Sequence, residues 1–431
     1  MVEPRTTDQR KVFSREMTPE LALKIGKLIG NRFTTTCVST DGHPSSPMIY
    51  NAFKAGVMCA GGNIVNCGEL PSAAMPYGDN VGDCYVTIAS RGPDSISGLE
   101  IHDAKGGYFN EAQLFSVTST EERLLFPTYD RLGQETFDRT VLDRYISGIT
   151  DGIDSVDCVV ALDRSYPLST DAAVRVLSGL GAETITVCKT MNEGEVNLLR
   201  DTDLRTLGRT VRSMEDTCSM GAAFNRDATR LAMFDDKGRF ISGDTMAMIL
   251  AQELGLEKVC VPVDMTMGVD DVTDGIVIRG QSDIMSLMDM SREMDFACDR
   301  EGRFIFPQQT CTPDGIRAML EFARISSHTK LSTIIDGFNT YYRSEEVLRT
   351  SANRSKLDKY LKEQTASLEY TSLTDIDGYR VGFDSGWFLL RHAANDASLT
   401  ITCEARDKAY LVGLVEIAKK IATECIRMAD Q

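Results

Sequence analysis

The sequence is short of positive charge and of long apolar runs. Lysine and arginine number 46 against 63 aspartates and glutamates, which leaves a formal net charge of -17. Such an excess of negative charge disfavours nucleic acids and anionic lipids as general partners. No apolar run approaches the roughly 18 residues that span a bilayer, and the N-terminal MVEPRTTDQRKVF lacks the apolar core of a signal peptide. We therefore expect a cytoplasmic protein that binds neither nucleic acid nor membrane.

Closely spaced metal-binding residues are also missing. The twelve cysteines are scattered without a C-x-x-C pair, and the chain has only four histidines. This pattern argues against a structural zinc site and, in a reducing compartment, against disulfide bonds. We expect most of the cysteines to be small buried residues.

The chain repeats one arrangement of secondary structure. The predicted strand, helix and strand segments are 33–38, 46–62 and 64–67 in the first copy and 158–162, 171–181 and 184–188 in the second. The segments VSTDGHPSSPM and VALDRSYPLST share an aspartate just past the first strand and hydroxyl residues at the start of the helix. We interpret this as a weak internal repeat of one α/β unit. A third unit begins near Gly243, with its first strand at 259–263.

The C-terminal part has a different pattern. Two alternating strands flank the turn at 384–386, a third strand covers 398–405, and an amphipathic helix covers 407–428. The predicted fold class is α/β, with three similar mixed-sheet α/β domains and a smaller C-terminal α+β domain around a central cleft. The predicted domains are 1–140, 141–242, 243–348 and 349–431.

The first segment that suggests chemistry is VTIASRGPDSISGLEI, residues 86–101. An alternating strand ends at Ser90 and runs into a sharp turn that begins at Arg91, so the serine hydroxyl is displayed at a strand end. A serine in this position can accept a phosphoryl group if neighbouring residues neutralise the charge on the transferring oxygens. The alternative is a serine that only satisfies its own turn.

The second segment is FNRDATRLAMFDDKGRF, residues 224–240. Asn225, Asp227 and Thr229 alternate, so an extended backbone aims their three side-chain oxygens the same way, with Arg230 beside them. Oxygen ligands of this kind suit Mg²⁺. Only one of the three is a carboxylate, which favours a weak site or a plain turn between strands.

Two further loops carry arginines. In ACDREGRFIFP, the charged residues Asp299, Arg300, Glu301 and Arg303 surround a glycine. The arginines of this loop could grip a phosphate, or they could pair with the two acids as a solvated loop.

The second of these loops is RHAANDASL, residues 391–399. Arg391, together with Asn395 and Asp396, forms a candidate anion-binding loop in the C-terminal domain. The alternative is a loop of small residues without a function.

The order and spacing of these segments resemble one family, the α-D-phosphohexomutases, which include phosphoglucomutase, phosphomannomutase and phosphoglucosamine mutase. MTPELALKIG is similar to the family's first helix, and VSTDGHPSSPM resembles its V-G-R-D-T-R-x-S-S-x-M. RLAMFDDKGRFISGD, FIFPQQTCTPDGIRAML and GFDSGWFLLR resemble later parts of the family pattern. The resemblance runs from about residue 17 to the C-terminus. It implies three similar α/β domains and a smaller fourth domain around a deep cleft.

The resemblance also implies a reaction. In such enzymes a phosphoserine donates its phosphate to a hexose monophosphate, the bisphosphate intermediate reorients, and the serine takes a phosphate back from the other oxygen. Mg²⁺ is held by the serine phosphate and three aspartates. An active member of this kind would be an intramolecular phosphotransferase of the isomerase class.

The departures from the family pattern fall on its functional loops. The family's T-A-S-H-N-P is Ile-Ala-Ser-Arg-Gly-Pro at 88–93, which keeps only the serine of the Ser-His-Asn triplet. Its D-G-D-A-D-R is Asn-Arg-Asp-Ala-Thr-Arg at 225–230, so one metal carboxylate remains of three. Its G-E-x-S-G-H is Cys-Asp-Arg-Glu-Gly-Arg at 298–303, and its R-P-S-G-T-E-P is Arg-His-Ala-Ala-Asn-Asp-Ala at 391–397.

Two interpretations remain open. The first is a family member that has lost mutase activity and binds a phosphorylated sugar or scaffolds a partner, as a homo-oligomer or with an active paralogue. The second is an active, divergent mutase that uses phosphorylated Ser90, with Arg91 and Arg230 stabilising the transferred charge. The loss of two metal carboxylates argues against Mg²⁺, and together with the other altered loops it favours the first interpretation.

Overall fold

The structure is a computed structural model. It describes residues 17–77, 82–91, 96–103, 106–109, 128–187, 199–214, 217–393 and 398–430, with only the backbone given at 90, 91, 96 and 97. These residues form two compact units. The larger unit comprises the described residues within 17–246 and 291–336, and the smaller unit comprises those within 247–290 and 337–430. The four-domain division expected from the sequence stays a prediction.

The N-terminal region of the larger unit combines a mixed sheet with a pair of packed helices. Its elements are α1 (Pro19–Arg32), β1 (Thr35–Thr40), α2 (Ser46–Cys59), β2 (Asn63–Glu69), β3 (Cys84–Arg91), β4 (Ile96–His102) and β5 (Glu135–Phe137). The strand order is β4-β3-β1-β2-β5. Strand β1 is parallel to β2 and β3, whereas β3 and β4 are antiparallel. The predicted strand, helix and strand of the first copy are confirmed.

Local sequence explains why α1 begins and packs where it does. The hydroxyl of Thr18 accepts the N–H of Leu21 at 3.2 Å, and Pro19 occupies the first turn, where its missing N–H costs nothing. The apolar stripe faces α2, and at Gly26 the two helices are so close that a Cβ would lie 2.2 Å from the carbonyl oxygen of Phe53. Glycine is therefore required at this crossing.

A second sheet repeats the arrangement of the first. Its elements are α3 (Val141–Thr150), β6 (Val159–Asp163), α4 (Pro167–Gly179), β7 (Glu183–Val187), α5 (Arg205–Ser213), β8 (Met220–Phe224), β9 (Leu231–Phe234) and β10 (Phe240–Ile241). The strand order is β10-β9-β8-β6-β7. Strand β6 is parallel to β7 and β8, just as β1 is parallel to β2 and β3. Strand β8 is antiparallel to β9, just as β3 is antiparallel to β4. The internal repeat is confirmed at the level of topology.

A third set of elements follows the second sheet. These are α6 (Gly243–Glu253), β11 (Lys258–Pro262), α7 (Gly268–Val272), β12 (Ile276–Gly280), α8 (Ile284–Ser291), β13 (Phe296–Cys298), β14 (Phe304–Ile305), α9 (Gly315–Ser326) and α10 (Leu331–Gly337). In the smaller unit β11 is parallel to β12, and in the larger unit β13 is antiparallel to β14. The predicted strand at 259–263 corresponds to β11.

The C-terminal elements form an antiparallel sheet with two helices. They are β15 (Tyr342–Arg349), α11 (Arg354–Ala366), β16 (Ser372–Thr374), β17 (Tyr379–Phe383), β18 (Gly386–His392), β19 (Ser398–Ala405) and α12 (Lys408–Ala429). The strand order is β15-β19-β18-β17-β16. The three predicted strands and the terminal helix are confirmed, while β15, β16 and α11 were not predicted. The fold is thus of the α/β class, with repeated mixed-sheet units and a smaller C-terminal α+β part.

The structure bears on the expected burial of the cysteines and on membrane-spanning helices. All the described cysteines except Cys59 are buried, as predicted for small core residues. No helix in the described ranges is long and apolar enough to cross a bilayer.

Candidate functional site

The loop that connects β8 to β9 brings together the three side chains predicted to point the same way. It does so through a turn at 226–228 between antiparallel strands, and not along the extended backbone expected from the sequence. Oδ1 of Asp227 accepts hydrogen bonds from Nδ2 of Asn225 at 2.6 Å and from Oγ1 of Thr229 at 2.8 Å. The backbone N–H of Thr229 reaches the same oxygen at 3.3 Å. Asp227 and Thr229 are buried, and Ala228 between them has a left-handed backbone with φ +57°. The loop therefore converges on one carboxylate oxygen.

The orientation of the Asn225 amide follows from its other contacts. Its Oδ1 accepts the backbone N–H of Arg230 at 2.8 Å. A flipped amide would set two donors against each other at that contact, so the NH₂ group must face Asp227 and Thr229. A hydrogen-bond donor thus stands where an oxygen ligand would be needed.

These residues do not fit a Mg²⁺ ion. Mg²⁺ requires oxygen ligands in near-octahedral geometry, and carboxylates supply most of the protein's share. Here the NH₂ group of Asn225 and the hydroxyl of Thr229 both donate toward Asp227. Over the described part of the chain, no group of three or more His, Cys, Asp or Glu residues is placed to hold a metal ion.

Ser90 and Arg91 are the last two residues of β3. Their backbones pair with Ser97 and Ile96 of the antiparallel neighbour β4. The strand was predicted to end at Ser90 and ends one residue later. The placement of the serine at a strand end is therefore confirmed for the backbone, and the catalytic roles of Ser90 and Arg91 stay predictions.

The loop between β13 and β14 is joined to the β8–β9 loop by an ion pair and a backbone hydrogen bond. Arg230 pairs with Glu301, and Nη2 of Arg303 lies 2.8 Å from the same carboxylate. Nη1 of Arg303 lies 2.7 Å from Oδ2 of Asp299. The backbones also join, because the N–H of Leu231 donates to the carbonyl of Gly302 at 2.9 Å. The two loops form one connected network of alternating charges.

The charged groups of this network are buried to different degrees. Asp299 and Arg303 are buried, whereas Glu301 is half exposed. Burial raises the pKa of Asp299, and the guanidinium groups of Arg303 and Arg230 oppose that shift. Arg300 points elsewhere and pairs through Nε with Asp244 at 3.0 Å. Of the two arginines considered from the sequence, Arg303 pairs with both acids of its loop, one buried and one half exposed, whereas Arg300 pairs with an acid outside the loop.

Residues beside the β8–β9 loop were not predicted from the sequence. The hydroxyl of Ser169, on α4, donates to the carbonyls of Asn225 and Arg226 at 2.9 and 2.7 Å. The guanidinium of Arg226 lies 4.9 Å from the ring of Tyr166. Burial, and secondly the charge of Arg226, lower the pKa of His43. Helix α4 of the same unit thus contacts the backbone of the β8–β9 loop and supports it. No local pattern in the sequence indicates this contact.

Arg391 lies on β18 in the smaller unit and already has acidic partners. Its Nη2 lies 3.0 Å from Asp264 Oδ2, and its Nη1 lies 2.9 Å from Asp377 Oδ2 and 2.6 Å from Ser282 Oγ. Burial alone would lower the pKa of Arg391, but the two carboxylates outweigh it and raise that pKa. These contacts engage three of the five N–H donors of Arg391. Its phosphate-binding role stays a prediction, and Asn395 and Asp396 lie outside the described residues.

The repeated mixed α/β sheets, the antiparallel C-terminal sheet and a serine at a strand end define a multidomain fold of the phosphohexomutase type. Residues 1–124 match the family described as phosphoglucomutase/phosphomannomutase, alpha/beta/alpha domain I. A probable phosphoglucosamine mutase from Methanosarcina acetivorans is 29% identical, over 97% of this chain and 98% of its own. A phosphoglucosamine mutase from Methanococcus maripaludis is 22% identical, over 93% and 95%.

Solved structures agree on the fold. A phosphoglucomutase/phosphomannomutase family protein from Burkholderia thailandensis superimposes with a TM-score of 0.81 at 18% identity, over 96% of this chain and 95% of its own. A putative phosphomannomutase from Thermus thermophilus gives a TM-score of 0.72 at 15% identity, over 95% and 96%. The chain is thus similar along nearly its whole length to α-D-phosphohexomutases and shares their fold.

Proposed function

We propose that this chain is a non-catalytic phosphohexomutase homologue, which binds a phosphorylated sugar or a protein partner and does not carry out Mg²⁺-dependent phosphoryl transfer. The observation that carries the proposal is the hydrogen bonding of Asn225, Asp227 and Thr229 to one another. In this loop the charge of the one carboxylate is offset by three donors.

The size of the electrostatic change supports the proposal. The Coulomb attraction between a carboxylate and a unit positive charge 4 Å away is about 4 kcal/mol at an effective dielectric of 20, and it is larger for a divalent ion. Two of the three carboxylates that the family pattern provides are replaced here by Asn225 and Thr229. Phosphoryl transfer depends mainly on positioning and on charge stabilisation. A loop without those carboxylates lacks most of the charge stabilisation that such a reaction needs.

The network of the β13–β14 loop supports the same conclusion. Arg230 and Arg303 converge on Glu301, and Arg303 also holds Asp299. Arginines already paired with acids of the protein are less available to a transferred phosphate. A related fold, the N-acetylphosphoglucosamine mutase of Aspergillus fumigatus, was solved with GlcNAc-6P and magnesium. We infer that a phosphosugar remains a ligand class to test for this chain.

The experiment is a turnover assay with a paired variant. Purified protein is incubated with glucosamine, glucose or mannose 6-phosphate, Mg²⁺ and the matching bisphosphate, and the products are followed by ³¹P NMR. We expect the wild type to show no more turnover than the Ser90→Ala variant. We also expect mass spectrometry to find the peptide that contains Ser90 without a phosphate. Binding is tested in parallel from the shift in melting temperature that each sugar phosphate produces.

The second candidate function is an active phosphohexomutase. The similarity to proteins named phosphoglucosamine mutase along 97% of the chain favours it, as does the serine at the end of β3. Turnover of any of these substrates that Ser90→Ala abolishes, or a phosphate on Ser90, would establish this candidate and overturn the first.

A further inference from the structure

A buried arginine in the C-terminal sheet has no counter-ion in direct contact among the described residues. Arg380, on β17, is 9% exposed. Within the described chain its side chain makes no hydrogen bond or ion pair, and its Nε is buried without an acceptor. Its guanidinium lies 4.5 Å from the centre of the Trp387 ring. A stacking contact of this kind offsets only part of the cost of burying a charge.

Two more arginines surround the same tryptophan. Arg343 lies 5.5 Å from the Trp387 ring, and its Nη1 donates to the carbonyl of Asp264 at 2.9 Å. Arg279 donates to the carbonyls of Met265 and Thr266 at 3.0 and 3.1 Å. Burial lowers the pKa of Arg380 to about 9, and the charges of Arg279 and Arg343 add to that effect. Three guanidinium groups thus share one region of the smaller unit.

The nearby acids are occupied by other donors. Glu404 Oε1 accepts the N–H of Met267 at 2.7 Å, the hydroxyl of Thr266 at 3.1 Å and Nε1 of Trp387 at 3.1 Å. Asp270 pairs with Arg279. These two carboxylates act on Arg380 only through longer-range attraction, which does not cancel the effect of burial.

The contrast with Arg391 shows what Arg380 lacks. Arg391 is equally buried, on the adjacent strand β18, but it is held by Asp264 and Asp377. The described part of the protein therefore supplies direct counter-ions for one buried arginine of this sheet and not for the other. Arg279 pairs with Asp270 and Arg343 pairs with Glu345, so Arg380 is the cation of this group without a direct counter-ion among the described residues. In a chain with a net charge of -17, such a buried cation is a feature that an anion would complete.

We propose that Arg380, with Arg279 and Arg343 beside it, forms a binding site for the phosphate group of a small metabolite. A phosphate offers several acceptor oxygens and up to two negative charges, which suits more than one guanidinium. The site is built only from residues of the smaller unit. It is separate from the β8–β9 and β13–β14 loops, so it does not depend on the function proposed above.

The test measures binding and stability together on the full chain. Melting temperature and isothermal titration calorimetry are recorded with inorganic phosphate, glucosamine 6-phosphate and, at matched ionic strength, sodium chloride. The variants are Arg380→Met, which keeps the volume and removes the charge, and Arg349→Met, which removes an exposed charge from β15 of the same sheet. Arg380→Lys keeps a cation in case Arg380→Met does not fold.

We expect phosphate to raise the melting temperature of the wild type and of Arg349→Met equally, beyond the effect of chloride. Arg380→Met should lose this shift and bind phosphate about tenfold more weakly or worse, and Arg380→Lys should be intermediate. If glucosamine 6-phosphate binds more tightly than inorganic phosphate, the site recognises a phosphorylated metabolite. If the two bind equally, the site recognises the phosphate group alone. The proposal would be overturned if phosphate did not raise the melting temperature of the wild type. It would also be overturned if Arg380→Met and Arg380→Lys both retained the full rise.

Discussion

Nδ2 of Asn225 lies 2.6 Å from Oδ1 of Asp227, so an amide donor stands beside the one carboxylate of the β8–β9 loop. The hydroxyl of Thr229 donates to the same oxygen. A carboxylate that accepts several hydrogen bonds is stabilised in its charged form without a cation. The charge of Asp227 is therefore stabilised by donors of its own loop, and this arrangement can be tested by changing the donors.

The first prediction concerns Asn225→Asp. The substitution replaces a donor by a second carboxylate next to buried Asp227, so we expect a loss of about 2 kcal/mol or more in the free energy of unfolding. Mg²⁺ should restore part of that loss, and restore more of it in the Asn225→Asp/Thr229→Asp double variant. The measurement is urea denaturation with and without Mg²⁺.

The matched control is Asn225→Ala, which removes the donor without adding charge. It should be destabilised, but Mg²⁺ should have no effect on it or on the wild type. A Mg²⁺-dependent stabilisation of the wild type as large as that of the double variant would show that the loop already binds the ion, contrary to the prediction.

The second prediction compares two arginines of the β13–β14 loop. Arg303→Met leaves buried Asp299 without its guanidinium partner at 2.7 Å, and we expect a loss of about 3–5 kcal/mol. Arg300→Met removes a contact between partly exposed groups and should cost about 1 kcal/mol or less. Both values come from chemical denaturation at neutral pH. Equal losses would mean that Arg303 is not the partner that compensates Asp299.

Local patterns in the sequence were enough to predict the two repeated strand, helix and strand segments, and the last three strands and the terminal helix. Alternation and apolar stripes located the strands and helices, and the aspartate after each first strand located the repeat. Strand β15 was missed because its sequence YRSEEVLR has few apolar residues and half of its side chains are exposed. Its place in the sheet depends on pairing with β19, far along the chain, and such a partner leaves no local signal.

The site could be predicted less completely. The sequence predicted that the side chains at 225, 227 and 229 point together along an extended backbone, and that reason was wrong. The structure brings them together through a turn with a left-handed Ala228, which alternation in the sequence does not indicate. It left open whether Arg303 binds a ligand or the acids of its own loop, because the answer depends on burial. The burial of Arg380 without a direct counter-ion among the described residues was not predicted at all. A single arginine in a strand carries no signal until the tertiary structure shows which acids surround it.

The third prediction uses two helical glycines in opposite environments. In Gly26→Ala the new Cβ would lie 2.2 Å from the backbone oxygen of Phe53, so the helices must separate and we expect a loss of about 1–3 kcal/mol. Gly179, at the end of α4, has no neighbour within 4 Å of an added Cβ, and Gly179→Ala should be neutral or stabilising by up to about 1 kcal/mol. The measurement is thermal denaturation of both variants and of the wild type. Destabilisation of both variants to the same extent would contradict the packing argument.

The fourth prediction rests on a buried carboxylate at the start of α9. Oδ1 of Asp314 accepts the N–H of Arg317 and the hydroxyl of Tyr145, each at 2.8 Å. Its Oδ2 is buried without a hydrogen-bond partner among the described residues. Burial raises the pKa of Asp314 to about 6, although these hydrogen bonds oppose the shift. The folded protein therefore binds a proton here at a pH where the unfolded chain has already released it.

The sign of the pH dependence follows from that difference. Between the unfolded pKa near 4 and the folded value of about 6, the native state holds more protons, so stability rises as the pH falls through this window. Asp314→Asn keeps an acceptor for Arg317 and Tyr145 but cannot titrate. We expect the free energy of unfolding of the wild type, relative to that of Asp314→Asn, to increase by about 1–3 kcal/mol from pH 7 to pH 4.5. Parallel curves for the two proteins would show that the folded and unfolded pKa values of Asp314 are the same.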